Sequence, residues 1–196
     1  MSSDETIEQA AAAFQDHGDA ADFGLLVDQL QDRFYRVAYR VVGEGDTALD
    51  VVQDSFVKIH GRIDRWDRQA RFTSWAYRIV TNVAIDALRR RAREQKAWEG
   101  RAAEESLVQE DESMQGVLSA ERTALVEQVK SAIDELPPGQ RAIVALRHYE
   151  GFSLKEIADV RGCALGTVKS TLHQAFRSLR RSLGNELLEQ LATEAS

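Results

Sequence analysis

The stretch Phe152–Arg181, FSLKEIADVRGCALGTVKSTLHQAFRSLRR, constrains the fold of this chain more than any other. Ser153 and Glu156 have the S-x-x-E spacing of a capping box, which starts a helix by satisfying two of its free N–H groups. Ala158, Gly162 and Val168 follow four and then six residues apart. A helix-turn-helix asks for that pattern: a small residue where the helices cross, a glycine for the turn, and a branched apolar residue to dock the second helix. From about Leu165 to Leu183 the second helix carries Lys169, Arg177, Arg180 and Arg181 and no acid. An ordinary helical hairpin can imitate the spacing. The basic second helix favours the DNA-reading version.

A second segment, FTSWAYRIVTNVAIDALRRR from Phe72 to Arg91, contains no Pro or Gly. Phe72, Trp75, Ile79, Val83 and Ala87 alternate by three and four, which predicts one apolar helix face. Arg78, Asn82, Asp86 and Arg89 fall on the other side. An amide and arginines beside aromatics suit unstacked nucleic acid, because phosphates attract Arg and exposed bases take flat rings and mixed donors and acceptors. The same residues also read as an amphipathic core helix with a solvated charged end.

The rest of the chain reads as helix and linker, so the expected fold is all-α: two small helical domains joined by an acidic linker. Residues 1–22, rich in Ala, Gln and Asp, read as an acidic N-terminal segment, frayed or disordered. A helix is predicted over Phe23–Val42, with Leu26, Leu30, Phe34, Val37 and Val41 in one stripe, ended by Gly43 and Gly45. Asp46 is a good N-cap for the next, to about His60, whose expected core side is Leu49, Val52, Phe56 and Ile59. The polar loop DRWDRQAR, 64–71, precedes the helix at Phe72, and the first domain is bounded at 23–97. Residues 98–119 lack an apolar face and read as a flexible linker. The second domain spans 120–184, with helices near 120–135 and 139–149 on either side of Pro137 and Pro138, and 185–196 is a tail.

The net charge of −7 looks wrong for a nucleic-acid binder until it is divided along the chain. Residues 1–23 carry −6, 24–97 carry +4, 98–122 carry −5, 123–184 carry +3 and 185–196 carry −3. Two basic units are thus separated and flanked by acidic segments. Basic faces attract phosphate and acidic tails limit indiscriminate binding, although tails are often acidic for solubility alone.

Three blocks in order carry a family resemblance: DTALDVVQDSFVKIH (46–60), FTSWAYRIVTNVAIDALRRR (72–91), and ELPPGQRAIVALRHYEGFSLKEIADVRGCALGTVKSTLHQAFRSLR (135–180). Together they resemble a bacterial RNA polymerase sigma factor of the extracytoplasmic-function (ECF, group 4) type. The likeness covers Phe23 to Leu183. It implies a subunit that binds core RNA polymerase, reads the −35 duplex, captures the −10 non-template strand and starts transcription. An anti-sigma factor is the further partner it implies.

Site residues follow from the same resemblance. Asp50, Gln53, Asp54 and Lys58 match the core-polymerase-binding helix, where acceptors would meet arginines of the largest subunit. Trp66, Arg68, Gln69 and Arg71 fall in the loop that captures a flipped −10 base, a task for a stacking ring and polar groups. Arg78, Asn82, Asp86 and Arg89 match the DNA-facing side of the next helix, and Trp75, rather than Tyr77, is the expected core aromatic. Asp86 would accept from a base amine or orient Arg78 or Arg89. On the recognition helix, Thr167, Lys169, Ser170 and His173 are placed to read −35 bases, while Arg177, Arg180 and Arg181 hold phosphates. Thr171 stands where many relatives have arginine, which removes a common DNA contact.

Other classes score poorly. The sequence shows no P-loop, G-x-G-x-x-G or spaced metal ligands, so no enzyme, cofactor or metal is expected. No run of eighteen apolar residues predicts a membrane span, and MSSDETIEQ is no signal peptide. A single cysteine, Cys163, expected to be a small buried group, fits a cytoplasmic protein. The rival reading is a free-standing helix-turn-helix repressor or activator, which has no need of an aromatic, arginine-rich loop ahead of an Asn-bearing helix.

Overall fold

The computed structural model describes residues 3–99 and 120–183, which form α-helices with no strand among them. The order is α1 (Ser3–His17), α2 (Ala20–Val42), α3 (Gly45–His60), a 3-10 turn at Ile63–Arg65, α4 (Phe72–Glu99), α5 (Ala120–Asp134), α6 (Pro138–His148), α7 (Leu154–Arg161) and α8 (Leu165–Leu183).

The first correction concerns the N-terminal segment. Residues from Ser3 onward are a helix, not a frayed end, and Ile7, Ala10, Ala11 and Phe14 bury one face of it. Their spacing is that of an amphipathic helix with a narrow, Ala-rich seam. Phe14 rests against Phe23 at 5.0 Å and His60 at 5.2 Å, which ties α1 to α2 and α3.

α2 starts at Ala20 rather than Phe23, because Asp19 caps it by accepting from the Ala21 N–H. It stops at Gly43, whose φ of 80° is the left-handed cap conformation that glycine adopts without strain. Leu26, Leu30, Phe34, Val37 and Val41 are buried along it, as their spacing predicts. The cap residue of α3 is Glu44, and Asp46 lies in the first turn, where the helix dipole favours an acid. The expected core side of α3 is rotated: Ala48, Val51, Val52, Ser55 and Ile59 are buried, Phe56 is half-buried, and Leu49 is 51 % exposed.

A rotation also separates the predicted and observed faces of α4. Phe72, Ala76, Tyr77, Val80, Val83, Ala84 and Ile85 are buried, while Trp75, Ile79 and Ala87 are only half-buried. Trp75 packs against the core as expected, but Tyr77, expected to face away, is the more deeply buried of the two. α4 touches helices of both halves of the chain, so it has two covered sides. Tyr77 lies between Phe34 of α2, at 5.3 Å, and Phe152 ahead of α7, at 4.9 Å, edge-on to both.

The main apolar core consequently runs across both units, from Ile7 of α1 to Val168 of α8. A smaller core of Ala132, Leu136, Val144, Ala175 and Leu179 joins α5, α6 and α8. Polar contacts seal the junction. Glu150, in the turn after α6, enters the first unit with its side chain 3 % exposed. There it accepts from the Tyr77 hydroxyl and from Arg33 Nε at 3.3 Å, and its other oxygen lies 3.6 Å from Arg36 Nε. Burial, helped by the Glu150 carboxylate, pushes the Tyr77 hydroxyl well above its ordinary range, so it remains a donor. Burial opposes the Arg33 charge, but Tyr77, Asp4 and Glu150 more than offset this and raise its pKa. Arg141 of α6 donates to the Val41 carbonyl at the end of α2, at 2.9 Å. Arg40 lies 4.0 Å over the Tyr149 ring. The expected linker falls, from residue 100 to 119, outside the described residues.

Candidate nucleic-acid interface

α7 and α8 form the helix-turn-helix that the sequence predicts. Ser153 and Glu156 make both bonds of the capping box. Gly162 ends α7 at φ +61°, a left-handed turn that a side chain would strain. Ala158 and Val168 are buried at the crossing, and Cys163 is half-buried rather than buried. Val168, Ala175 and Leu179 fasten α8. Thr167, Lys169, Ser170, His173, Arg177 and Arg180 are all exposed. The Ser170 and Thr171 hydroxyls donate to the Thr167 carbonyl at 3.0 and 2.8 Å, which orients both within the helix.

The residues expected at the −10 element occupy a very different setting. Trp66 is 5 % exposed. Its indole N–H donates to the Ala70 carbonyl at 2.9 Å, and its ring meets Phe72 edge-on at 5.2 Å. In this conformation it is a core residue that closes the loop, with no free face for a base, which corrects its expected role as a stacking platform. Arg68 is committed to α1, bonding Gln15 Oε1, the Ala12 carbonyl at 3.2 Å and Asp16 Oδ1. Arg71 lies between Asp4 of α1, at 2.8 Å, and Glu156 of α7, at 3.0 Å. Gln69 is exposed and lines a cleft with Arg71, Glu156, Asp159 and Gly162.

α7 contacts the next part of the α4 face. Arg161 donates to Asn82 Oδ1 at 3.3 Å and to Thr81 Oγ1 at 3.4 Å. The Arg78 guanidinium lies over Gly162, where an added Cβ would meet its Nη2 at 2.7 Å. Farther along, Asp86 pairs with Arg89 at 3.7 Å, both side chains open to solvent.

On α3, Asp50, Gln53 and Asp54 share an exposed face with Leu49 and with Val57, which is 72 % exposed. Lys58 is half-buried. Asp50, Asp54 and Lys58 line one groove with Asp86, Arg89 and Arg93 of α4, so residues that the sequence assigns to two surfaces meet in a single trough.

Sequence reasoning missed the groups at the junction: Glu150, Arg33, Arg36, Arg161, and Glu8 and Gln15 of α1. Each is an ordinary polar residue in its own segment. Their partners lie from 29 to 117 positions away, and no local pattern marks such pairs.

Comparison with known proteins identifies the two halves of the chain. Residues 26–94 match the family model Sigma-70 region 2, and residues 126–179 match Sigma-70, region 4. The ECF RNA polymerase sigma factor SigW of Bacillus subtilis is 30 % identical over 170 residues, covering 85 % of this chain and 91 % of that protein. This chain belongs to the sigma-70 family, among the ECF sigma factors. The ECF sigma factor SigE of Mycolicibacterium smegmatis is 34 % identical, over 91 % of this sigma factor and 69 % of that one. Among solved structures, the sigma factor RpoE of Bartonella quintana, in complex with the anti-sigma factor NepR, is similar with a TM-score of 0.62 and 26 % identity. It covers 84 % of this sigma factor and 98 % of that chain. The region 2 match holds most of α2, all of α3, the loop, and most of α4, and region 4 holds most of α5 to α8. α1 lies ahead of both.

Proposed function

We propose that this sigma factor joins core RNA polymerase, directs it to promoters and supports melting of the −10 element, with the chemistry left to the polymerase. The acceptors Asp50, Gln53 and Asp54 on the open face of α3 suit an arginine-bearing surface of core enzyme. α8 reads the −35 duplex through Thr167, Lys169, Ser170 and His173, with Arg177 and Arg180 on phosphates. The loop and α4 take the separated −10 strand through Gln69, Arg71, Arg78, Asn82 and Arg89. The observation that carries the reading is the acid-free, basic and exposed face of α8, on a helix-turn-helix that follows a matched region 2 in the same chain. The chain divides on this view into a −10 unit (23–97) and a −35 unit (120–184).

In the conformation described, the two units are not equally available. The −35 readers face solvent alone, whereas Arg71, Arg78 and Asn82, though exposed, each touch α7 or its cap: Arg71 bonds Glu156, Asn82 accepts from Arg161, and Arg78 lies over Gly162. On this reading, gripping the −10 strand calls for these side chains to give up their contacts with α7. An anti-sigma protein, such as the one bound to the Bartonella relative, is a partner that would act on this step. The place of action is the cytoplasm, where polymerase and DNA meet; among the described residues no helix is long and apolar enough to cross a membrane.

Run-off transcription with core enzyme on a promoter library tests the reading. The expected result is transcripts from a defined start, dependent on this chain and sharing −35 and −10 elements. Dimeric binding to a palindromic operator, with no core-dependent transcript, would instead show a free-standing regulator.

A further inference from the structure

The loop of residues 61–71 has few supports of its own. Only Ile63 and Trp66 are buried in it, and the bonds within it are short-range turns. Its shape is held mainly from α1. The Gln15 amide donates to the Ile63 carbonyl at 2.9 Å and to the Trp66 carbonyl at 3.0 Å, across the 3-10 turn. The Gln15 carbonyl oxygen, the Ala12 carbonyl and Asp16 receive Arg68.

The start of α4 shows the same dependence. The first N–H groups of a helix have no partner within it. Arg71, which precedes α4, has no side-chain acceptor to cap them. Glu8 supplies one from 64 residues away: its carboxylate accepts from the Phe72 N–H at 2.8 Å and the Thr73 N–H at 3.3 Å. The negative charge also suits the positive end of the helix dipole.

We propose that Glu8, Gln15 and Asp16 of α1 are positioning residues for capture of the melted −10 strand, and that Arg68 serves α1 and not the DNA. The inference rests on the reading of the loop and α4 as the −10 site. α1 itself is secured by Ile7, Ala10, Ala11 and Phe14, on its apolar side. Its polar side is therefore free to set the loop, and changes there leave the seat of α1 intact. A loop already in shape loses less conformational freedom when it grips the strand. Losing the bracket then affects opening and spares −35 binding and core binding.

The test uses the full chain with core polymerase and reads four quantities: core affinity, closed-complex affinity, open-complex yield on duplex promoter, and amide exchange at Phe72 and Thr73. Glu8→Ala should lower the open-complex yield about tenfold, the scale of a lost charge-assisted hydrogen bond, and raise exchange at those two amides. Core and closed-complex affinities should not move. Glu8→Gln keeps an acceptor oxygen and should recover much of the opening. Arg68→Asp should lose opening, and the swap Arg68→Asp with Asp16→Arg should restore it. If the swapped pair stays as poor as Arg68→Asp alone, Arg68 touches the strand and the proposal fails. It also fails if core affinity falls in step with opening, since α1 then only holds the fold together. Asn82→Ala is the reference. If it lowers opening while Glu8→Ala does not, the α1 inference alone is wrong. If Asn82→Ala leaves opening intact, the reading of the −10 site falls, and this inference with it.

Discussion

Trp66 illustrates how a residue type can suggest one task while its surroundings assign another. A tryptophan in an arginine-rich loop suits base stacking, yet here its ring lies against Phe72 and its N–H closes the loop on Ala70. Trp66→Ala should accordingly destabilise the protein by about 3–5 kcal/mol, the range for truncating a buried aromatic, measured by denaturant unfolding. A change below about 1 kcal/mol, within reach of surface substitutions, would show the ring to be dispensable for the fold. The polar residues assigned to DNA on α8 are open to solvent, and no distant helix claims them. Lys169→Ala should alter base preference within the −35 element, whereas Arg180→Ala should weaken all promoters alike and reduce the salt slope by about one unit. Equal, uniform losses in both would reverse the assignment of reader and holder. Exposure makes the difference: a side chain that meets only solvent is legible from its neighbours in sequence, and one that meets a distant helix is not.

At the scale of the element, local signals predicted α7 and α8 closely. The capping box, the left-handed glycine and the small residue at the crossing all act within a few positions of one another. Ser153→Ala should cost about 1 kcal/mol by removing the cap of α7. Its partner Glu156 gives the same helix a pH dependence. Bonds from the backbone and hydroxyl of Ser153, and then the Arg71 charge, hold the Glu156 carboxyl below its ordinary 4.5. A depressed folded-state pKa means the contribution is complete above about pH 4.5 and fades as pH falls through the lower folded value. Acid titration of wild type and Glu156→Gln should therefore diverge above that window and converge below it. α1 and the facing of α4 were not legible in this way. The seam of α1 is mostly alanine, too weakly apolar to stand out in an acidic segment. α4 is buried on two sides, so a single-stripe reading of its apolar residues found only one. The rotation of α3 has a related cause: Leu49 is apolar but open, and its spacing with Val52, Phe56 and Ile59 is that of a core stripe.

For the whole molecule, composition and motif order indicated two units but not that they share a core. The Glu150 socket is the most specific fastening between them. A charge buried without partners is strongly disfavoured, so Glu150 depends on Arg33, Arg36 and Tyr77, and they on it. Glu150→Ala should weaken closure by roughly 3 kcal/mol, the low end for a broken buried pair because Arg36 is open to solvent. Small-angle scattering should then show a larger radius of gyration for the isolated chain; an unchanged radius would mean that the apolar contacts alone suffice. The shared core also sets how the ligands of this protein influence one another. If melted DNA binds only molecules in which α7 has left α4, its apparent affinity is the intrinsic one multiplied by the fraction in that state. Core polymerase, if it too requires that state, raises the fraction on binding. Each ligand then strengthens the other by the same factor, in both directions, with no contact between them. The isolated protein would be a poor binder of single strands not for lack of a site but for lack of molecules displaying it.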